Sequence, residues 1–115
     1  MDTRYYHNPR CSKSRGALAL LAEHGIAPDT VTYLDTPPSV EELRALVRML
    51  GLPARALLRT GEPVYAELGL ADPSLSDDAL LAAMHAHPIL IERPIFVHGG
   101  RAVIGRPIEN VLQLL

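Results

Sequence analysis

Apolar and polar residues change period along this chain, and each change marks an element. Thr3–His7 is short, polar-aromatic and β-favouring, and Asn8-Pro9 ends it, which predicts a first strand. From Ser12 to His24 the apolar residues Ala17, Leu18, Leu21 and Ala22 recur at helical spacing, and Gly25 follows as a stop. Val31–Leu34 reads as a second strand, and Asp35-Thr36-Pro37-Pro38 as a rigid turn. Ser39 and Glu42 form a capping-box pattern ahead of the stripe Leu43, Leu46, Val47, Leu50, closed by Gly51. Pro53–Leu58 and Tyr65–Leu68 read as short helical pieces. Ser76 precedes Asp77 and Asp78, which suits a helix start, and that helix is expected to run to about His87. Ile95–His98 and Arg101–Ile104 flank Gly99-Gly100, the pattern of a two-residue hairpin. A last helix is expected to run to Leu114, with Pro107 at its first position and Arg106 as N-cap.

The order is therefore β-α-β, then helices, then β-β-α. It predicts an α/β fold with a four-stranded mixed sheet and a helical insertion over about 39–88, within a single domain spanning 1–115. A strand–helix–strand unit of the length at the start of the chain has parallel strands and a right-handed crossover. Active residues in such units lie beyond the carboxyl ends of the strands. The only cysteine, Cys11, falls there.

Composition narrows the function classes. The chain has 115 residues, 48% of them hydrophobic, enough for a real core. A net charge of -2 argues against nucleic-acid binding driven by bulk charge. No apolar run approaches the roughly 18 residues of a membrane span. No hydrophobic secretory core follows Met1-Asp2-Thr3-Arg4, and one cysteine cannot build an internal disulfide framework, so a cytoplasmic location is expected. The isolated His85-x-His87 pair has nothing nearby to complete a metal site, and no metal is expected.

The chemistry gathers around Cys11. A thiol at a helix N-terminus faces unpaired backbone N–H groups and the positive end of the helix dipole, and both favour thiolate over thiol. Arg10, Lys13 and Arg15 add positive charge, and His7 and Ser14 are positioned to donate hydrogen bonds to the sulfur. Three further arginines, Arg59, Arg93 and Arg106, each follow an apolar stretch and precede a turn or helix start. Arginine stays charged and presents a planar fork of donors matched to oxyanions.

The segment Tyr6-His7-Asn8-Pro9-Arg10-Cys11-Ser12-Lys13-Ser14-Arg15 resembles the active-site signature of the glutathione- and glutaredoxin-linked arsenate reductases. The similarity continues through Leu58-Arg59-Thr60, Tyr65–Leu70, Ile91–Ile95 and Gly105-Arg106-Pro107 to Leu114. It departs at Ser12-Lys13, where well-studied members have Gly-Thr. The resemblance implies a thioredoxin-like fold with a helical insertion. It implies Cys11 as nucleophile, His7 and Ser14 as residues that help stabilise its thiolate, and Pro94 as a cis-proline. Arg59, Arg93 and Arg106 match the family's oxyanion-binding arginines. It implies no bound cofactor, arsenate or a similar oxyanion as substrate, arsenite as product, glutathione as co-substrate, glutaredoxin as partner, and neither nucleic acid nor membrane.

Two other readings stay open at this point. A one-cysteine thioredoxin-like site can serve as a general glutathione-linked thiol oxidoreductase. A branch of the same fold binds RNA polymerase as a redox regulator, though its active members carry Cys-x-x-Cys and this chain has Ser14 at the second position. Phosphatase-like arsenate reductases carry Cys-x5-Arg, and Ala17 stands where that arginine would be.

Overall fold

The structure is a computed structural model and describes residues 2–115. The chain forms two units, one from the segment up to Thr36 together with Arg93–Leu115, the other from Pro37–Glu92.

The first unit holds the sheet. Strands β1 (Thr3–Tyr6), β2 (Asp29–Val31), β3 (Ile95–His98) and β4 (Arg101–Ile104) lie in the order β2-β1-β3-β4. β1 pairs parallel with β2 and antiparallel with β3, and β3 pairs antiparallel with β4, so the sheet is mixed as expected. Tyr5, Tyr6, Ile95, Phe96 and Val97 are all buried. β3 thus carries a buried apolar run, whereas in β1 only the Tyr5-Tyr6 end is buried. Helix α1 (Ser12–Glu23) presents Ala17 and Leu21 to Tyr5 and Phe96, with Val111 completing that cluster. Gly99 (φ 62) and Gly100 (φ 77) form the hairpin turn, whose two central residues both need positive φ to match the strand twist.

Several boundaries shift by a residue or two from the sequence reading, and two differ in a way that changes the local structure. The second strand was expected over Val31–Leu34 but covers Asp29–Val31. The Thr32 carbonyl accepts from the N–H groups of both Asp35 and Thr36, so the chain turns there and Tyr33 is buried from within a turn. The last helix was expected to begin at Pro107, with Arg106 as N-cap. Pro107 is itself the N-cap, with extended dihedrals, and Ile108–Leu114 forms 3₁₀ turns begun by Asn110 N–H donating to the Pro107 carbonyl.

The second unit is helical. In α2 (Val40–Leu50) the Ser39 hydroxyl accepts from Glu42 N–H at 3.1 Å, as the capping pattern predicts. Beyond a 3₁₀ turn (Ala54–Leu57) lie α3 (Pro63–Glu67), begun by Pro63, and α4 (Asp77–Ala86), capped by Ser76. Leu43 and Leu46 of α2 and Leu80, Leu81 and Met84 of α4 are buried as these two helices pack together. Leu58 and Ile91 form an isolated antiparallel bridge, flanked by Arg59 N–H to the Leu90 carbonyl and Glu92 N–H to the Leu57 carbonyl, both 2.8 Å. His85 Nδ1 bonds the Pro38 carbonyl at 2.8 Å. Among the described residues no helix is long and apolar enough to cross a membrane.

Candidate active site

β1 ends where its backbone can no longer follow β2, and His7 N–H makes the last bond, to the Val31 carbonyl. Asn8 then ties the loop together. Its N–H donates to Ser14 Oγ (3.0 Å), its Oδ1 accepts from Arg10 N–H (3.0 Å), and its carbonyl accepts from Cys11 N–H (3.0 Å). Arg15 Nη1 braces the same loop at the Pro9 carbonyl (2.8 Å). The result sets Cys11 as the N-cap of α1, with extended dihedrals and its carbonyl accepting the first helical bond, from Arg15. The free thiol is partly exposed at a helix terminus whose orphan N–H groups attract negative charge.

Ser14 is fully buried one turn into α1. The sequence reading placed its hydroxyl and His7 toward the sulfur. In the structure the hydroxyl faces His7 Nδ1 (2.6 Å) and Asn8 N–H, and the buried Tyr5 hydroxyl donates to the Ser14 carbonyl. Ser14 Oγ accepts from Asn8 N–H, and its own proton can be given to His7 Nδ1. That choice leaves neutral His7 protonated on Nε2. Burial, reinforced by the Arg15 charge, lowers the His7 pKa below its ordinary 6.5 and keeps the ring neutral. Burial likewise pushes the Tyr5 hydroxyl up to about 12, so it remains a donor at neutral pH.

A pH dependence follows from His7. Its native pKa lies below the 6.5 of the unfolded chain, so the unfolded state binds more protons as pH falls. The stability contributed by the neutral ring is complete above pH 6.5 and is lost progressively from there down to the lowered native value. Denaturant unfolding between pH 7.5 and 5.5 should show this decline in the wild type, and His7→Gln should flatten it. An equal decline in the variant would assign the effect elsewhere.

Arg106 joins the distant segments. Its Nη2 lies 3.5 Å from Cys11 Sγ and its Nε donates to the Arg93 carbonyl at 2.6 Å. One guanidinium therefore spans the nucleophile candidate and the backbone before Pro94. The Arg93–Pro94 and Arg106–Pro107 bonds are both cis. The Arg93 side chain has its Nε and Nη1 atoms buried. Arg59 belongs to the other unit, where its Nη1 contacts Glu62 Oε1 at 2.6 Å.

Two residues to which the sequence pattern assigns no role hold Arg106 in place. Asn110 Nδ2 donates to the Arg106 carbonyl (3.0 Å) and more weakly to that of Ile104 (3.4 Å). Its position four residues after Arg106 was the available signal. Gly105 N–H donates to the Pro94 carbonyl at 2.9 Å, and the approach is so close that a Cβ on Gly105 would lie 2.8 Å from Pro94 Cγ and 3.2 Å from Val111 Cγ1. Both neighbours are packed, so neither can give way cheaply. Gly105→Ala should cost about 1–3 kcal/mol, the range for overpacking. Thermal unfolding should show a melting temperature several degrees lower, and an unchanged value would mean that the Pro94 side yields freely.

Chemically, the site offers a partly exposed sulfur at a helix N-terminus, a guanidinium fork beside it, and a neutral imidazole behind the loop. That combination suits nucleophilic attack on an anionic centre. Among the described residues no three or more His, Cys, Asp or Glu side chains gather to hold a metal ion.

Comparison with known proteins agrees over nearly the whole chain. The arsenate reductase of Neisseria meningitidis serogroup A is 51% identical over 115 residues, covering 99% of this chain and 98% of that protein. The arsenate reductase of Escherichia coli K12 is 44% identical over 96% of this chain and 78% of its own length. The solved arsenate reductase from Vibrio cholerae superposes with a TM-score of 0.97 at 58% identity, covering 100% of this chain and 98% of that one. The fold is thus the thioredoxin-like one that the resemblance implied. The ArsC family model matches residues 6–114, and on these grounds the chain belongs to the ArsC family.

Proposed function

We propose that this chain is an arsenate reductase in which the Cys11 thiolate attacks arsenate and glutathione and glutaredoxin supply the reducing thiols. The observation that carries the reading is the Arg106 guanidinium, held on the Arg93 carbonyl and directed at Cys11 Sγ. A fork in that place can neutralise an oxyanion while the thiolate approaches it. The names of relatives about half identical to this chain support the same substrate.

In the first step Cys11 Sγ bonds to arsenic, and one oxygen departs with a proton as hydroxide or water. Arg93 and Arg106 carry the charge of the remaining oxygens. Glutathione thiolate then attacks Cys11 Sγ. The S–As bond pair passes to arsenic, which leaves as trivalent arsenite, and Cys11 is left in a mixed disulfide with glutathione. A glutaredoxin thiolate attacks the glutathione sulfur and returns Cys11 as thiolate. His7 and Ser14 hold the loop that presents the sulfur, Ser14 through Asn8 N–H and His7 through Ser14. No cofactor is bound at any step. Regeneration by free thiols assigns the protein to a reducing compartment, the cytoplasm.

Steady-state arsenate reduction with glutathione and glutaredoxin tests the reading. Saturable turnover that needs all three components is expected. Glutaredoxin-dependent deglutathionylation of unrelated thiols without arsenate turnover would replace it with the general thiol oxidoreductase.

A further inference from the structure

Beside the Cys11 loop lies a cleft of ≈ 210 Å³, bordered by His7, Asn8 and Arg10 on one side and Thr32, Leu34 and Asp35 on the other, with Pro9 between. It sits beyond the carboxyl ends of β1 and β2, where ligands of parallel α/β units bind. Both walls are fixed by hydrogen bonds, the first through the Asn8 side chain and carbonyl and the second through the Thr32 carbonyl to Asp35 and Thr36.

The lining has a specific chemical character. Arg10 and Asp35 bring opposite charges to one cleft, yet among the described residues neither closes an ion pair, whereas Arg4–Asp2, Arg44–Asp78 and Arg59–Glu62 are closed. Pro9 and Leu34 add apolar lining. Neutral His7 lines the same cleft with its Nδ1 already committed to Ser14, which leaves Nε2–H as the donor. The oxyanion substrate is a poor occupant, because the Asp35 carboxylate repels it. A group that carries an ammonium and a carboxylate together, on a short aliphatic stem, matches both charges and the apolar lining. The volume falls below the roughly 300–1,000 Å³ of drug-sized sites and suits one amino-acid-sized end of a longer molecule.

We propose that this cleft is the subsite for the free amino-acid end of the reducing thiol peptide, with its ammonium at Asp35 and its carboxylate at Arg10. The inference rests on the reading that such a peptide attacks at Cys11. Arg10 immediately precedes Cys11, so a ligand anchored there extends its thiol toward the sulfur.

The test uses the full chain, labelled with ¹⁵N and titrated with S-methylglutathione, which carries both charges but cannot react. The amides of Arg10, Thr32, Leu34 and Asp35 are expected to shift together and saturably. Asp35→Asn should weaken binding by roughly two- to fivefold, the scale of an exposed charge pair. N-acetylation of the peptide, which removes the ammonium, should weaken wild-type binding by a similar factor and leave Asp35→Asn binding unaffected. Shifts confined to other surfaces, or equal losses on N-acetylation in both proteins, would overturn the proposal. The binding readout does not require arsenate chemistry. Saturable shifts in the cleft without arsenate turnover would support the subsite while removing the oxyanion reading. Turnover with shifts elsewhere would do the reverse.

Discussion

Cys11→Ser is expected to abolish arsenate reduction while the protein stays folded. Removal of a covalent nucleophile in a concerted site costs on the order of 10⁶ in kcat, which places the variant below detection. Serine cannot substitute, because its hydroxyl is not ionised near neutral pH and the side chain hydrogen-bonded at this position among the described residues is Arg106, a cation rather than a base. The fold tolerates the change for a local reason. Cys11 is the N-cap of α1, where serine is among the preferred residues, and its backbone bonds to Asn8 and Arg15 do not involve the side chain. Thermal unfolding should match the wild type to within about 0.5 kcal/mol, as for a substitution away from the core. Retained turnover in this variant would remove Cys11 from the nucleophile role.

Arg106→Ala is expected to lower kcat/KM for arsenate by about 10²–10³, or about 2.7–4 kcal/mol of transition-state stabilisation. The argument is electrostatic. Thiolate and arsenate are both anions, and two unit charges at about 4 Å repel by about 4 kcal/mol at an effective dielectric of about 20. The Arg106 guanidinium lies 3.5 Å from the sulfur and can offset that repulsion where it acts. Lysine restores the charge but not the fork that reaches the Arg93 carbonyl and the sulfur together, so Arg106→Lys should recover only part of the loss. Arg106 is exposed, and its loss should leave the melting temperature nearly unchanged. Kinetics across arsenate concentrations alongside thermal unfolding separate the two effects. Wild-type kinetics in Arg106→Ala would detach this arginine from the oxyanion.

What could be read from sequence was local. Ser39 and Ser76 announce their helices because a cap and its partner N–H lie three residues apart. The Gly99-Gly100 hairpin is legible because the turn itself demands positive φ at both positions. Cys11 at a helix start follows from Asn8-Pro9 ending one period and Ser12 beginning another. The end of β2 was misplaced because Val31–Leu34 is apolar enough for a strand, while the bonds that turn the chain at Thr32 come from backbone groups that carry no sequence signal. The orientation of Ser14 was not legible either. Its hydroxyl could face the sulfur or the loop, and the choice rests on where Asn8 N–H and His7 fall after folding. The contact of Arg106 with Cys11 spans 95 positions and depends on the closeness of Gly105 and Pro94. By contrast the Arg59–Glu62 pair is an i,i+3 contact that the residue types alone could have raised.

The central claim is that arsenic passes through a covalent bond to Cys11 and leaves that sulfur joined to glutathione. Intact-protein mass spectrometry of a single turnover, with arsenate and glutathione present and glutaredoxin omitted, tests it most directly. One glutathione per chain, mapped to Cys11, formed only when arsenate is present and released on addition of glutaredoxin, is the predicted result. Arsenite produced while Cys11 stays unmodified, or an adduct that forms equally fast without arsenate, would contradict it.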